Sequence, residues 1–263
     1  MSTATYMHGY SKSVLASHQW RTIENSAEYL LPYLNKTQHI LDLGSGAGTI
    51  TCDFTNLVGT VTALELNEEA LNLTREEAQR RNVELEYAIG DAHALPFEDN
   101  TFDVVHAHQV LQHVADPVQV LKEMRRVIKP GGIVAARDSD YAIFTWFPEN
   151  PILDEWKKLY IDIARSNGGE PNAGRMLLDW ALRAGFTDVT PGATTWCFAT
   201  PEGREYWGSM WAKRILTSRI AEQAREKGVP QQTLQDISDG WNCWKDAPNG
   251  WLMVPHGTIL AKK

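Results

Sequence analysis

The sequence has few cysteines, no long hydrophobic run and no cluster of basic residues. Its three cysteines, Cys52, Cys197 and Cys243, are far apart and odd in number, so they indicate neither a disulfide framework nor a zinc ribbon. No apolar run reaches the roughly 18 residues that a membrane-spanning helix needs. Residues 1–17 are polar and lack the apolar segment of a signal peptide. We therefore expect a cytoplasmic protein without a membrane span.

The charge of the chain argues against a nucleic-acid partner. The formal net charge is −8, and the basic residues are dispersed. Sequence-independent nucleic-acid binding requires basic residues that replace the counterions of the phosphates, so we do not expect it. What the chain does contain is 43% hydrophobic residues and ten tryptophans, most of them after residue 140. Its 263 residues can bury a large core in one domain, and the pattern leaves the oligomeric state open.

A glycine-rich turn between a strand and a helix organises the first half of the chain. Residues 40–43 are typical of the end of a buried strand, Gly44 to Gly48 form the turn, and the stretch 49–57 is helix-compatible. Glycine permits positive φ and lets a ligand approach the backbone. The spacing is G-x-G-x-G, with Thr49 where the dinucleotide pattern G-x-G-x-x-G needs its third glycine. With Asp42 directly before the turn, this spacing favours S-adenosylmethionine (SAM) over a dinucleotide.

Short apolar strands alternate with helices through this half. The predicted strands cover about 39–43, 61–66, 85–89, 102–106 and 133–136, with a sharp turn at 129–132 before the last. Helices are predicted over 49–57, 68–81 and 117–127, and an amphipathic helix over 21–34 precedes the first strand. Such alternation is typical of a doubly wound parallel sheet.

The second half contains two further strands and several helices. Strands are predicted over 188–199 and 251–262, and helices over 152–166, 174–184, 202–227 and 231–244. We therefore predict a single α/β domain, 1–263, with a mostly parallel seven-stranded sheet, a cofactor-binding core at 37–136, and a helical insertion at 201–250 before the last strand. Ligands of open α/β sheets bind at the carboxyl ends of the strands. We expect the N-terminal segment, 1–36, and the insertion to form a lid over this edge.

Three acidic residues stand where this edge would hold a nucleoside. Glu65 ends the second strand, where its carboxylate can accept hydrogen bonds from ribose hydroxyls; the alternative is a solvated acid at a strand end. Asp91 follows the third strand. It could accept a hydrogen bond from an adenine amino group while the backbone of Ala92 meets the ring edge, or it could cap a turn. Asp42 could hold the N–H groups of the glycine turn or face the amino group of the cofactor.

Together these features resemble the class I SAM-dependent methyltransferases, and among them the ubiquinone/menaquinone-biosynthesis (UbiE-like) branch. The resemblance covers about 37–136 and rests on the segments Asp42 to Gly48, Ala63 to Glu65, Gly90 to Ala92, Leu95 to Phe97, Phe102 to Val105, Val110 to Val114 and Leu121 to Gly132. Ser45 and Ala47 depart from it, since Cys and Pro are frequent there. The resemblance implies a Rossmann-like fold and SAM as the cofactor. It implies cofactor contacts at Asp42, Gly44, Ser45, Gly46, Glu65, Leu66, Gly90, Asp91 and Ala92, and at the backbone near Ala107 and His108.

The histidines after the fourth strand are candidates for chemistry. His106 and His108 are two residues apart and share one face of a strand, and His113 follows in a helical turn. No acidic residue clusters with these three, so we predict no metal. His113 could act as a general base, because imidazole titrates near neutral pH. The alternative is a histidine packed at the cofactor pocket.

Aromatic residues mark the expected acceptor site. Tyr141, Phe144 and Trp146 follow the fifth strand, where members of the resembled family place substrate. Trp207 and Trp211 share one face of a helix in the insertion. These residues are either ordinary core or an apolar lid over an aromatic or prenylated acceptor. Electron-rich rings can also stabilise a sulfonium cation.

The N-terminal segment supplies two further candidates for the cofactor. Tyr10 could belong to the lid, and Arg21 could pair with the carboxylate of SAM or with a surface acid. We predict methyl transfer to a small-molecule acceptor, a reaction that mainly requires the acceptor to be held near attack distance. Two alternatives stay open. One is a SAM-binding protein of this fold that does not methylate, using SAM as structure or catalysing a rearrangement; the other is a dinucleotide-dependent oxidoreductase.

Overall fold

A mixed sheet of eight strands lies at the centre of the computed structural model, which describes residues 20–263. Residues 1–19, and with them the predicted contact of Tyr10, lie outside the described part. The strands are β1 (His39–Leu43), β2 (Thr60–Glu65), β3 (Glu86–Ile89), β4 (Phe102–His108), β5 (Ile128–Ser139), β6 (Thr145–Phe147), β7 (Asp188–Phe198) and β8 (Trp251–Lys262).

The order of the strands is that of a doubly wound fold. Strands β3, β2, β1, β4 and β5 are neighbours in this order and run parallel. Strand β8 is antiparallel to β5 on one side and to β7 on the other. The predicted fold class is confirmed, and the sheet has one strand more than expected, because the short β6 also pairs with β8.

Nine α-helices surround the sheet in the described part of the chain. They are α1 (Ile23–Ser26), α2 (Thr49–Phe54), α3 (Glu68–Arg81), α4 (Pro117–Val127), α5 (Pro151–Ser166), α6 (Leu177–Arg183), α7 (Pro201–Thr217), α8 (Arg219–Glu226) and α9 (Gln231–Asp246). Short 3₁₀ segments cover Glu28–Tyr33, Leu111–His113, Tyr141–Ile143 and Ala173–Met176. Helix starts follow local capping rules: the side chains of Asn67, Asp116 and Thr200 accept hydrogen bonds from the first turns of α3, α4 and α7.

The helix predicted over 21–34 is two shorter pieces. A capping box of Thr22 and Asn25 begins α1, and Ala27 then leaves the helical region with φ −137°. A 3₁₀ segment that contains Pro32 follows. Proline has no N–H for an α-helical hydrogen bond, which explains why the helix does not continue.

Three other boundaries differ from the sequence pattern. The stretch 202–227 is divided at Ser218, whose extended backbone ends α7 and whose Oγ donates to Arg214 O at 2.8 Å. The turn expected at 129–132 lies inside β5, where it bulges out of the ladder: Phe102 pairs with Ile128, but Val104 pairs with Ile133. The stretch 174–184 likewise begins as 3₁₀ helix and becomes α6.

Both faces of the sheet are buried at the inner strand β1. Leu41 and Leu43 of β1 belong to one apolar cluster, whereas Ile40 belongs to another on the opposite face. A third cluster, which we call the aromatic core, joins α5, α7, α8 and α9 to β6, β7 and β8. The insertion is therefore packed through buried tryptophans, among them Trp156, Trp211 and Trp241.

Candidate active site

The glycine turn connects β1 to α2 through three residues with positive φ. The φ angles are +73° at Gly44, +55° at Gly46 and +77° at Gly48, a region that glycine adopts without steric cost. Gly44 also packs closely on the loop after β4, since an added Cβ would lie 2.6 Å from Val110 Cγ2. The turn is therefore fixed against the crevice beside β1 and β4, where doubly wound sheets bind ligands.

Glu65 lies at the end of β2, directly beside this turn. Its Oε1 accepts a hydrogen bond from Gly46 N at 2.6 Å, and its Oε2 accepts one from Leu66 N at 3.3 Å. Burial raises the pKa of Glu65. The side chain of Leu66 is largely exposed. A half-buried carboxylate at the mouth of a glycine turn suits the recognition of ribose hydroxyls.

Asp42 is a buried structural acid. Its Oδ2 accepts from Thr51 Oγ1 at 2.5 Å, and its Oδ1 lies 2.7 Å from His106 Nδ1. The expectation that it holds the N–H groups of the turn differs from these contacts, which instead tie β1 to α2 and β4. The turn is supported by another pair: Ser45 Oγ lies 2.8 Å from Thr74 Oγ1, which donates to the carbonyl of Gly46 at 3.0 Å.

The loop after β3 carries Asp91 at the same edge of the sheet. Gly90 N donates to Glu65 O at 3.0 Å, which places the loop next to the acid of β2. Asp91 Oδ1 accepts from His93 N at 2.9 Å and lies 2.7 Å from His93 Nδ1. These bonds, the backbone one first, lower the pKa of Asp91. His93 is a partner that the sequence pattern does not identify, and Ala92 is half-buried between them.

At the end of β4, Ala107 is buried in the core and His108 faces a cluster of cationic and aromatic side chains. The His108 ring lies 5.7 Å from Trp196 and 6.3 Å from His256. Within residues 20–263, both ring nitrogens are buried without a hydrogen-bond partner. Burial, with Arg137 as the next cause, holds the pKa of His108 well below its usual range, so the imidazole is neutral.

Gln109, the residue after β4, connects this end of the strand to Arg21 of the N-terminal segment. Its φ of +55° is unusual for a residue with a side chain. Its Oε1 accepts from Arg21 at 2.7 Å, and its Nε2 lies 2.9 Å from His256 Nε2. Arg137 continues the chain of contacts, with a nitrogen 3.1 Å from His256 Nδ1.

A cavity lies at the carboxyl ends of β4 and β5, between them and the insertion. Its polar lining consists of Arg21, Gln109, Gln112, His113, Ser139 and Arg214. Its aromatic lining consists of Trp20, Tyr141, Phe144, Trp196, Tyr206, Trp207 and Trp211. Six predicted site residues therefore meet here: Arg21, His113, Tyr141, Phe144, Trp207 and Trp211. The predicted substrate residue Trp146 does not line the cavity and packs near Trp156 in the aromatic core.

The ring nitrogen Nε2 of His113, which would accept a proton, already accepts a hydrogen bond. Gln112 Oε1 accepts from Ser139 Oγ at 2.5 Å, so its amide nitrogen, 3.0 Å from His113 Nε2, acts as a donor to the ring. Burial lowers the pKa of His113 to about 4. At neutral pH the ring is therefore a neutral imidazole and a weak base.

Several cavity residues were not identified from the sequence as site residues. Gln109, Gln112 and Ser139 are polar residues at strand ends, where a ligand-binding position is a general expectation for this fold. Arg214 had a specific signal: it follows Trp207 and Trp211 by seven and three residues, which places all three on one helix face. Trp196 has no local signal, because only the pairing of β7 with β8 brings it here.

No group of three His, Cys, Asp or Glu side chains within residues 20–263 could hold a metal ion. His106, one of the three histidines considered from the sequence, is bound to Asp42. In the same part of the chain, no helix has the length and apolar character needed to cross a membrane.

Comparison with known proteins identifies the family. Residues 41–136 match the family described as methyltransferase domain. An uncharacterized methyltransferase of Schizosaccharomyces pombe, C1B3.06c, is 36% identical and is covered over 96% of its length by 98% of this chain. The chain therefore belongs to the methyltransferases. The glycine turn, Glu65 and the Asp91 loop suit SAM, the cofactor expected from the sequence, because they offer backbone with positive φ and two carboxylates at one sheet edge.

Other known proteins are similar over only part of the chain or only in fold. The Escherichia coli ubiquinone/menaquinone biosynthesis C-methyltransferase UbiE is 39% identical, but only over 38% of this chain and 41% of its own. The solved structure of Haemonchus contortus phosphoethanolamine N-methyltransferase 2, in complex with phosphomonomethylethanolamine and S-adenosylhomocysteine, superposes with TM-score 0.61 at 20% identity, over 97% of this chain and 58% of that one. The [4+2]-cyclase SpnF superposes with TM-score 0.54 at 18% identity, over 98% and 88%.

Proposed function

We propose that the protein transfers the methyl group of SAM to a small molecule bound in the cavity. The observation that carries this proposal is the position of the cavity. Gln109 lines it, and the next residue, Val110, contacts Gly44 of the turn. Cofactor turn and cavity are thus separated by one short loop, which would bring an acceptor next to the sulfonium.

The cofactor contacts follow the same geometry. We assign the ribose to Glu65, the adenine amino group to Asp91, the methionyl group to the backbone of Gly44 to Gly46 and of residues 107–108, and the carboxylate of SAM to Arg21. The support is that Glu65 is already joined to both neighbours: its carboxylate accepts from Gly46 N of the turn, and its carbonyl accepts from Gly90 N of the Asp91 loop.

The chemistry proposed is in-line displacement governed by position. The methyl carbon of SAM is electrophilic, so the protein has to hold the acceptor near attack distance and exclude water. His113 is the candidate base, but a pKa of about 4 makes it a poor proton acceptor near neutral pH. An acceptor atom that is nucleophilic at the working pH would suit this site best.

We infer that α7 and the N-terminal segment cover the reacting groups as a lid. Trp207, Trp211 and Arg214 line the cavity from α7, and Trp20 and Arg21 line it from the N-terminal side. A UbiE-like substrate belongs to this proposal only as one option, because the similarity to UbiE covers only 38% of this chain.

Two measurements test the function. Calorimetry with SAM, S-adenosylhomocysteine and NAD(H) should give binding of the first two only; binding of NAD(H) alone would refute it. Incubation with SAM and metabolites extracted from the native host should release S-adenosylhomocysteine together with a product heavier by one methyl group. Saturable SAM binding without any methylated product would favour the second candidate, a rearrangement catalyst, which the fold of SpnF makes a specific alternative.

A further inference from the structure

The charges that line the cavity are all of one sign. Arg21 and Arg214 both line it, and none of the lining residues is acidic. Residues 1–19, which precede Trp20 in the chain, contain no Asp or Glu either. The protein as a whole carries a net charge of −8, so a positive cavity contrasts with the rest of the molecule.

Arg214 is placed to act on a ligand in this cavity. It is buried, with 5% of its surface exposed, and its guanidinium carbon lies 5.1 Å from the centre of the Trp211 ring. Burial raises the pKa values of Tyr141 and Tyr206, two further lining residues, and the positive charges of Arg21 and Arg214 offset part of this rise at both. Both guanidinium groups therefore act on the same enclosed space, where low solvent access strengthens their field.

Further hydrogen-bond donors lie behind the cavity residue Gln109. Gln109 Nε2 and an Arg137 nitrogen approach the two ring nitrogens of His256 at 2.9 Å and 3.1 Å. A neutral imidazole has one lone pair for hydrogen bonding, so only one of these approaches can be a full bond. Within the described residues, Nη1 of Arg137 is buried without an acceptor. Behind Gln109, donors therefore outnumber acceptors, which adds to the preference of this end of the cavity for an anion.

We propose that the acceptor is an aromatic carboxylate whose anionic group binds Arg214. This proposal rests on the proposed function. The planar rings of Tyr141, Phe144, Trp207 and Trp211 provide apolar walls for an aromatic body, and the guanidinium on the insertion side provides a bidentate partner for the carboxylate. Arg21 is bonded to Gln109 beside β4, so it serves the carboxylate of the cofactor instead.

The anion also has a role toward the cofactor. SAM carries a positive sulfonium, and S-adenosylhomocysteine does not. The Arg214 guanidinium in the cavity wall repels the sulfonium, and a carboxylate bound to Arg214 offsets that repulsion. An anionic acceptor therefore strengthens SAM binding more than it strengthens binding of S-adenosylhomocysteine.

The test compares an acid with its neutral amide. Phenylacetate and phenylacetamide are titrated into the full-length protein saturated with S-adenosylhomocysteine, with quenching of tryptophan fluorescence as the readout. We expect phenylacetate to bind at least tenfold more tightly than phenylacetamide. In Arg214→Met this preference should fall below twofold, whereas Lys213→Met, which removes an exposed charge from the same helix, should keep it. Equal binding of acid and amide to the wild type, or a preference that survives in Arg214→Met, would overturn the proposal.

Two further measurements show which arginine binds the carboxylate, and they distinguish failure of this proposal from failure of the proposed function. Arg21→Met should weaken S-adenosylhomocysteine while the acid preference remains; loss of the preference in Arg21→Met alone would assign the anion to Arg21 and refute the role of Arg214. The second measurement uses only the wild-type protein and so does not depend on the folding of a variant. Phenylacetate should increase the affinity for SAM at least threefold more than it increases the affinity for S-adenosylhomocysteine. Absence of this difference counts against the proposal. A protein that binds acid over amide but never methylates would refute the proposed function alone.

Discussion

The carboxylate of Glu65 and the backbone N–H of Gly46 are joined by a hydrogen bond of 2.6 Å. The neighbouring Gly44 N donates to Leu64 O at 2.9 Å. The end of β2 and the turn after β1 are therefore one connected unit. A ligand that lies on the turn also meets the acid, so substitutions in either should affect the same binding event.

Removal of the Glu65 carboxylate should weaken binding of the cofactor. We expect Glu65→Ala to lose about 1.5–3 kcal/mol of SAM binding free energy, the range for hydrogen bonds to a charged group. Titration calorimetry measures it. Glu69→Ala is the control, because Glu69 is an exposed acid in the first turn of α3. Unchanged affinity in Glu65→Ala would remove this residue from the ribose site.

A side chain at Gly46 should abolish cofactor binding and leave most of the fold. The φ of +55° strains a valine, and its branched side chain would occupy the space of the ligand. Gly131→Val is a matched control, since Gly131 has φ +80° and open space around it, far along the chain from the turn. Circular dichroism on both variants measures how far backbone strain disturbs the fold, and calorimetry measures their affinity for SAM. Normal SAM affinity in folded Gly46→Val would show that the turn does not hold the cofactor.

The depressed pKa of His113 should make stability depend on pH. The folded pKa of about 4 lies below the ordinary value of 6.5, so the unfolded chain binds the proton first as pH falls. The contribution is fully present above pH 6.5 and is lost toward pH 4. Between pH 7.5 and 5, wild type should lose roughly 1–2 kcal/mol of unfolding free energy relative to His113→Gln.

Urea unfolding at both pH values measures this difference. His39→Gln serves as a comparison, because the pKa of that partly exposed histidine is lowered less strongly. Parallel pH curves for wild type and His113→Gln would mean that His113 titrates normally and remains available as a base.

The lid should reveal itself in hydrogen exchange. Amides of 201–217 and around Trp20 and Arg21 should exchange more slowly when S-adenosylhomocysteine and an acceptor are added, while those of α4 stay unchanged. Deletion of residues 1–18 should reduce activity more than it reduces the melting temperature. Since Trp211, Trp241 and Trp244 are buried in the aromatic core, strong protection of all insertion amides without ligand would assign them to structure alone.

The parts of this molecule that follow from short segments could be predicted, and those that depend on distant pairing could not. The strand ending at Glu65, the glycine turn and the start of α4 are local patterns, and each lies where the pattern puts it. Trp196 and His256 reach the site only through the pairing of β7 and β8. Trp146 shows the opposite case: it follows β5 as expected, but β6 turns it into the aromatic core.

Two local features, the break between α7 and α8 and the positive φ of Gln109, have physical causes that the sequence pattern alone does not predict. Ser218 lies between α7 and α8, and its Oγ donates to Arg214 O; such a bond to the carbonyl four residues earlier also occurs within bent helices, so it does not by itself predict a break. Gln109 adopts positive φ without being glycine, because its side chain and backbone are both bonded, to Arg21 and to Arg137 O. Neither outcome follows from propensity.

Strand β8 is the final strand in the chain, yet it lies between β5 and β7 and contributes Val254 to the cavity. During synthesis, the ribosome releases β5 and β7 before their common neighbour exists. Both strands then present unpaired edges, which are exposed to wrong partners until residues 251–262 emerge. The cavity is consequently completed only after residues 251–262 have been translated, through contacts of long sequence separation that slow folding.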